Sequence, residues 1–441
     1  MKKALVLSVG GSEEPLIYSI KKFKPDFIYF LHSKDTKKSV DKILDEFDYD
    51  SSQYSLKELN NEQSLEESFS KSREIISSLK KDFDVNVDFT GGTKPMVAGL
   101  VLAAIGEECK YSYVGSNKGR EGRDKDGVGV VVNGFEEIIS QKDPYDLYAV
   151  VEFNRGMDFF NKYQFTAAKS NFIAASEKLE DENLKELANL YVDLVGLYDV
   201  WDKFNNKINK KTLNSYLENQ ILKKINDSEN IRNTLEDESP GFLSQIEANI
   251  EFLKLKISRK GVIEIDDVKY YLPDLLNNAS RRIEEGKYDD AVARLYRATE
   301  LIAQTGLANE GFININRLRE NKIFHIPLDA IENCDNKNAV EYIKGLDEYW
   351  YAKKGVMKIP LVKSFDFLKH LGCQYANDYL EDKRLKGMLS KRNDSLLAHG
   401  LNPINKEDAE NLFESVLKYS IGVFPEIEKY MEMAKFPKFK E

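Results

Sequence analysis

Lys2-Lys3-Ala4-Leu5-Val6-Leu7-Ser8-Val9-Gly10-Gly11-Ser12 opens the chain with a short apolar, β-branched run that stops at paired glycines. A bilayer span needs about 20 apolar residues, and no leader-cleavage pattern follows, so the run reads as a first buried strand in a cytoplasmic protein. The design returns at Val85–Phe89, which leads into Thr90-Gly91-Gly92-Thr93-Lys94-Pro95-Met96. Working outward, strands are expected at Ala4–Val9, Phe27–Leu31, Tyr54–Leu59, Val85–Phe89, Tyr111–Val114 and Val128–Val132. Helical periods fall between them at Glu14–Phe23, Thr36–Phe47, Ser64–Lys81 and Lys94–Glu107. Continuous apolar strands alternating with helices predict an α/β, Rossmann-like domain whose parallel sheet is covered on both faces.

At 441 residues the chain exceeds one ordinary core, so two or three domains are expected. A net charge of -10 excludes coating nucleic acid through overall positive charge and leaves only a local basic groove for RNA. Cys109, Cys334 and Cys373 show no CxxC spacing, which points to buried thiols in a reducing compartment rather than a disulfide or zinc framework. From about Tyr145 the periodicity becomes helical throughout, except at Gly261–Leu272. There two β-rich runs flank Asp266-Asp267 and read as a small hairpin ended by Pro273. The expected domains are therefore 1–144, α/β; 145–259, a helical linker; 260–272, a β-hairpin connection; and 273–441, a terminal all-α region.

Phe160–Glu177 can be laid on Ile283–Glu300, pairing Phe165 with Tyr288, Ala168 with Ala291, Phe172 with Leu295, Ala175 with Ala298 and Glu177 with Glu300. The spacing is similar to tetratricopeptide hairpins, but two copies are too few for a solenoid, and two amphipathic hairpins packing small-residue faces explain it more simply.

In open parallel sheets, ligands bind beyond the carboxyl ends of strands, where helix N-termini present free amides. Ser8, Gly10, Gly11 and Ser12 form one such loop; Thr90, Gly91, Gly92, Thr93 and Lys94 form another. Each combines glycines that let a phosphate approach with hydroxyls that can bind it, and Lys94 adds a cation. Neither loop is GxGxxG or a P-loop, so no dinucleotide or nucleoside triphosphate is specified. The bland alternative is a pair of tight strand-to-helix turns with Thr93 as a helix cap. The glycine-rich loop Ser116–Gly127 reads as a mobile hairpin connection, with Lys118, Arg120 and Arg123 within possible reach of a phosphate.

Farther on, Arg392-Asn393-Asp394-Ser395-Leu396-Leu397-Ala398-His399-Gly400 places an arginine and a histidine seven residues apart, on one helix face, just before a glycine stop. RNA can be cut without a metal when its own 2′-hydroxyl attacks the phosphate, given a group that titrates near neutrality and a cation for the phosphorane charge. His399 and Arg392 are suited to those roles, Asn393 could orient either the histidine or a phosphate oxygen, and Lys391 adds positive field. A single helix supplies one set, so two-fold pairing of chains would complete a cleft. Against this stands a plain structural role for both residues, since the spacing alone is common. His32, His325 and His370 read as structural, and Tyr349-Trp350-Tyr351 as core or interface rather than a base-stacking platform.

Together the Asp88–Lys94 loop and the Arg392–Gly400 run resemble the CARF-HEPN ribonucleases that accompany type III CRISPR systems, the Csm-six-like family. Tyr288–Glu300 also resembles the early helix pair of one branch. The resemblance spans nearly the whole chain and implies a CARF domain that binds a cyclic oligoadenylate across a dimer axis through Ser8, Gly10, Gly11, Ser12, Thr90, Gly91, Gly92, Thr93 and Lys94. It further implies a HEPN cleft in which Arg392, Asn393 and His399 cut single-stranded RNA in antiviral defence, with no metal or other cofactor. Cyclic tetra-adenylate is slightly favoured over cyclic hexa-adenylate. Some CARF domains cut their own ligand, for which Ser8, Ser12 and Thr90 are the candidates here. The rival readings are a non-catalytic nucleotide-sensing regulator whose helices mediate dimerisation or partner binding, and an enzyme acting on a free nucleotide through Thr93 and Lys94.

Overall fold

β1 (Lys2–Ser8) shows why a sheet forms first: Ala4, Leu5, Val6 and Leu7 are all fully buried, so both of its faces must be covered. In this computed structural model, which describes residues 2–127, 129–204, 221–238, 240–257, 268–313, 325–352, 355–385, 387–388 and 402–440, β1 lies mid-sheet. It pairs in parallel with β2 (Phe27–Ser33) and with β4 (Phe83–Asp88), Ala4 lying opposite both Phe27 and Val85. β3 (Tyr54–Leu59) and β5 (Lys110–Ser116) extend the sheet on either side and β6 (Glu136–Gln141) closes one edge, giving the order β3-β2-β1-β4-β5-β6. Leu5 and Leu7 pack against Leu16 and Ile20 of α1 (Glu14–Phe23) and Val40 and Ile43 of α2 (Lys37–Asp45). Ala4 and Val6 face Ile75 and Leu79 of α3 (Leu65–Leu79) and Leu100 and Ala103 of α4 (Lys94–Ala104). Gly99 brings α4 close to α3, since a Cβ there would sit 2.6 Å from the Ser68 Cβ.

The sixth strand corrects the expectation of Val128–Val132. Val130 and Val132 are 41% and 40% exposed, and Val131 makes only an isolated bridge to Arg123. The neighbour of β5 is instead β6 (Glu136–Gln141), antiparallel, with Val114 opposite Ile138. Gly127 and Gly129 interrupt the valine run, and glycine weakens a strand. An edge strand tolerates the polar residues of β6, and no crossover helix is needed to return antiparallel. The connection from Ser116 to Glu136 is a hairpin connection, carrying a one-turn helix at Gly119–Gly122.

Contacts divide the chain into two compact units, residues 1–154 with 173–188, and residues 155–172 with 189–441. In the second, the helices Val268–Glu284, Tyr288–Asn309, Leu361–His370, Gln374–Glu381 and Lys406–Val423 surround a core that includes Leu276, Leu295, Ile302, Phe365, Leu368, Leu412 and Val416. The strands His325–Pro327 and Val356–Lys358 pair antiparallel beside it. The hairpin expected over 260–272 is a second correction. Residues 258–267 lie outside the described residues, and the run that was to be its second strand is the start of a helix with Pro273 inside it. Leu272, Leu276 and Ala279 are fully buried at helical spacing, and that burial outweighs the β-branched composition and the proline.

The internal repeat is visible in the turns. Gln164 N donates to Phe159 O at 2.8 Å and Tyr163 N to Phe160 O at 2.9 Å. In the second copy, Lys287 N donates to Arg282 O at 2.8 Å and Gly286 N to Ile283 O at 3.0 Å, matching the sequence alignment residue for residue. Ala168, Phe172 and Ala175 are fully buried, as are Ala291, Leu295 and Ala298. Of the aromatic triplet, Tyr349 packs against the core while Trp350 and Tyr351 are 76% and 79% exposed, so the core reading fails for those two. The one-turn helix Asp347–Trp350 cannot turn three consecutive side chains inward. Among the described residues no helix is long and apolar enough to cross a membrane.

Candidate ligand and catalytic sites

The sheet's winding reverses between β1 and β4, and it is at such a switch point that open parallel sheets bind ligands, in the crevice beyond the carboxyl ends of the strands. The loops leaving these two strands, at Gly10-Gly11 and Gly91-Gly92, are brought together across 83 residues of sequence where the Ser8 hydroxyl donates to the Gly91 carbonyl. They meet backbone to backbone. A Cβ on Gly10 would lie 2.7 Å from Gly92 N, and one on Gly91 would lie 2.7 Å from Ser8 O. Gly92 has φ +99°, a conformation that favours glycine. Gly11 differs: it is exposed, a Cβ there would meet nothing within 4 Å, and its φ is not positive. The tight-turn explanation thus accounts for Gly10, Gly91 and Gly92 but not for Gly11.

Three of the expected ligand hydroxyls are engaged in holding the loops. Ser8 binds Gly91 as above; Thr90 Oγ1 accepts from Val114 N at 2.8 Å; and Thr93 Oγ1 caps α4 by accepting from Met96 N while donating to the Glu62 carbonyl. Ser12 and the exposed Lys94 make no hydrogen bond to a described residue, and none takes the amide hydrogens of Gly10, Gly11, Gly91 or Gly92. What the crevice offers is therefore a set of open backbone amides between the N-termini of α1 and α4, one hydroxyl and one ammonium, a donor set for an anion. Glu13, beside the first loop, has its carboxyl held below the usual range by a hydrogen bond from Ser39 and, less strongly, by Lys42, whose Nζ lies 3.1 Å away and balances its charge.

Sequence reading assigned no role to Asp88, which organises the floor of this crevice. Fully buried, it accepts from Ser19 Oγ at 2.6 Å, Ser112 Oγ at 3.0 Å and Thr90 N at 2.9 Å, tying α1, β5 and the second loop to the end of β4. An acid directly before a glycine loop was the signal available. In the loop after β5, Arg123 is engaged by Tyr113 OH at 2.8 Å and Gly129 O at 3.2 Å, and Lys118 lies 4.7 Å over the Phe135 ring.

Arg392, Asn393 and His399 lie outside the described residues, as do Lys391 and Ser395. The chain on either side is anchored in the core by buried Leu385, Met388 and Ile404, and Ile404 N donates to Asp289 Oδ2 at 3.2 Å. The other histidines have structural partners. His32 is buried with Nδ1 2.8 Å from Ser33 O, and His370 stacks on Tyr342 with ring centroids 4.2 Å apart.

Residues 260–422, which contain the whole Arg392–His399 run, match the family model described as the Csm6 HEPN domain. That stretch of the helical C-terminal region is therefore similar to the Csm6 HEPN domain. Along its whole length the chain is similar in fold to Enterococcus italicus Csm6 bound to cyclic hexa-2′-fluoro-hexa-dAMP, with 12% identity, 99% of each chain covered and a TM-score of 0.51. Can2 from Sulfobacillus thermosulfidooxidans in complex with cyclic tetra-adenylate aligns over 46% of this chain and 65% of its own, at 12% identity and a TM-score of 0.25, too loosely to carry an argument. No curated protein matches significantly. The Csm6-like architecture, a Rossmann-type sheet unit ahead of a helical HEPN region, is the one the Asp88–Lys94 and Arg392–Gly400 motifs implied.

Proposed function

We propose that the protein is a homodimeric endoribonuclease, activated when a cyclic oligoadenylate occupies the crevice between β1 and β4, that cleaves single-stranded RNA in type III CRISPR antiviral defence. The observation that carries the sensor half is the open space above Gly11, flanked by unpartnered amides and Lys94 at a topological switch point. The catalytic half rests on the HEPN match spanning Arg392, Asn393 and His399. In this reading His399 moves the proton between the 2′-hydroxyl and the leaving 5′-oxygen, Arg392 holds the phosphorane charge, and Asn393 orients one of them, leaving a 2′,3′-cyclic phosphate without a metal. A second protomer supplies the other Arg–His set.

Labelled single-stranded RNA incubated in EDTA with cyclic tetra-adenylate or cyclic hexa-adenylate tests both halves. Cleavage should require one of the rings, which also decides ring size. Gly11→Leu should abolish activation while leaving the melting temperature in place, because its side chain enters open space. If the ring-bound protein leaves RNA intact, the protein is instead a nucleotide-sensing regulator.

A further inference from the structure

The last residues of the chain, Lys435-Phe436-Pro437-Lys438-Phe439-Lys440, form no regular structure, yet Phe436, Pro437 and Phe439 are buried. Each phenylalanine occupies its own aromatic pocket. Phe436 sits 4.7 Å from Tyr198, 4.8 Å from Trp201 and 6.0 Å from Phe165, with the Arg281 guanidinium 3.7 Å over its ring. Phe439 lies 4.4 Å from Phe242, 5.0 Å from Tyr191 and 5.2 Å from Phe160.

The backbone of the segment is gripped by side-chain amides rather than by a sheet. Asn161 pairs with both polar groups of Phe439, Oδ1 accepting from its N–H at 2.8 Å and Nδ2 donating to its carbonyl at 3.0 Å. Within the segment, Asn249 Nδ2 and Gln245 Nε2 both donate to Lys435 O, at 2.8 and 2.9 Å, and the same two amides cap the preceding helix Ile427–Met433 at Met433 O and Glu432 O, at 2.7 and 3.0 Å. Asn249 is fully buried, and its amide is oriented by the Tyr198 hydroxyl, which donates to Oδ1 at 2.8 Å. Burial pushes the Tyr198 pKa far up, so that hydroxyl stays protonated and remains a donor. Capture of a non-helical backbone by fixed side-chain amides, with separate pockets for two of its side chains, is a mode of peptide recognition.

We propose that these helices form a receptor for an extended peptide bearing two phenylalanines three residues apart, and that its resident ligand is the chain's own C-terminal segment. The amides supply affinity for any extended backbone, and the two ring pockets supply the sequence requirement. Lys438 adds one charged contact, its Nζ 2.7 Å from Glu284 Oε2.

The test uses the full chain. Trypsin needs an extended, released backbone, so Lys435 and Lys438 should resist cleavage in the wild-type protein. In Phe436→Ala/Phe439→Ala both bonds should be cut at least about tenfold faster, the factor that losing even one ring's burial would give. A fluorescent peptide of residues 435–441 should then bind the double variant at least about tenfold tighter than it binds the wild-type protein, whose site is filled. The same peptide with both phenylalanines replaced by alanine should bind neither. Equal cleavage rates in wild type and variant overturn the proposal, as does a natively folded variant that fails to bind the peptide. Should the double variant not fold, Asn161→Asp, which turns a donor to the Phe439 carbonyl into an acceptor, serves in its place, and unchanged cleavage there overturns the proposal equally.

Discussion

The helix hairpin Val150–Asn161/Phe165–Lys178 and the hairpin Val268–Glu284/Tyr288–Asn309 turn on the same hydrogen bonds and are closed by different forces. In the first, Gly156 admits the ring of Phe172, whose Cε1 would lie 2.6 Å from a Cβ, and Phe160 packs edge-on to Phe165 at 5.5 Å and Tyr198 at 5.3 Å. In the second, Leu295 and Ala298 fill the matching places, and a buried carboxylate takes over the anchoring. Asp202 accepts from Arg281 Nε at 2.8 Å, Arg282 Nη2 at 2.6 Å and Asn278 Nδ2 at 2.9 Å. Small residues and turn geometry set the backbone, then, while the chemistry that closes it is free to vary. Each turn has one left-handed residue, and there the two differ: Tyr163 has φ 59° where Gly286 has φ 73°. A non-glycine residue there costs roughly 1–2 kcal/mol. The tyrosine is retained by its hydroxyl, which donates to Glu284 at 2.9 Å and which burial and that carboxylate hold protonated, its pKa pushed up to about 12.

The sharpest way to separate the hairpins is chemical. The second lies within the HEPN match and the first does not. Arg392→Ala or His399→Ala should cut activated RNA cleavage by roughly 10²–10⁴-fold with activator binding intact. Phe172→Ala, once folded, should leave kcat near wild type, and an equal loss in both would erase the distinction. For stability, Asp202→Ala should cost about 3–5 kcal/mol in urea unfolding, because it removes the carboxylate partner of buried Arg281 and leaves Arg282, among the described residues, only Glu285, 2.8 Å away. A loss below about 1 kcal/mol would mean that the aliphatic core alone holds the second hairpin. At the matched positions, Phe172→Ala should cost about 3–5 kcal/mol and Leu295→Ala about 2–5 kcal/mol. The turn gives the smallest effects. Gly286→Ala should lower stability by about 1 kcal/mol, while Tyr163→Gly should be nearly neutral, strain relief offsetting the lost bond to Glu284. If Tyr163→Gly instead cost as much as Phe172→Ala, the tyrosine would be a principal anchor.

Much of this was legible from one chain of letters, for reasons that can be named. Strands such as Ala4–Val9 are buried on both faces, so their apolar runs are continuous, and the paired glycines after β1 and β4 marked where two loops meet backbone to backbone. The repeat was legible because small residues are obligatory where helices touch. What failed were places where local composition and tertiary context disagree: Val130 and Val132 are β-formers left in the open, and Tyr270-Tyr271-Leu272 are β-formers drawn into a helix by its buried face. Hydroxyl roles were illegible for another reason. Thr93 finds Glu62 across 31 residues and Thr90 finds Val114 across 24, partners that no local pattern encodes.

β6 runs against the strands before it, and that reversal decides where the chain leaves the sheet. Gln141 lies opposite Tyr111, at the amino end of the parallel strands, where Asp143 takes Gly106 N and caps the next turn through Tyr145 N, each at 2.8 Å. The crevice at Gly11 and Gly92 is at the other end, roughly 20 Å away at the rise of a β-strand. No molecule small enough to sit between two loops can touch both. A ligand held at those loops would therefore reach the point where the chain leaves the sheet only through the strands between them.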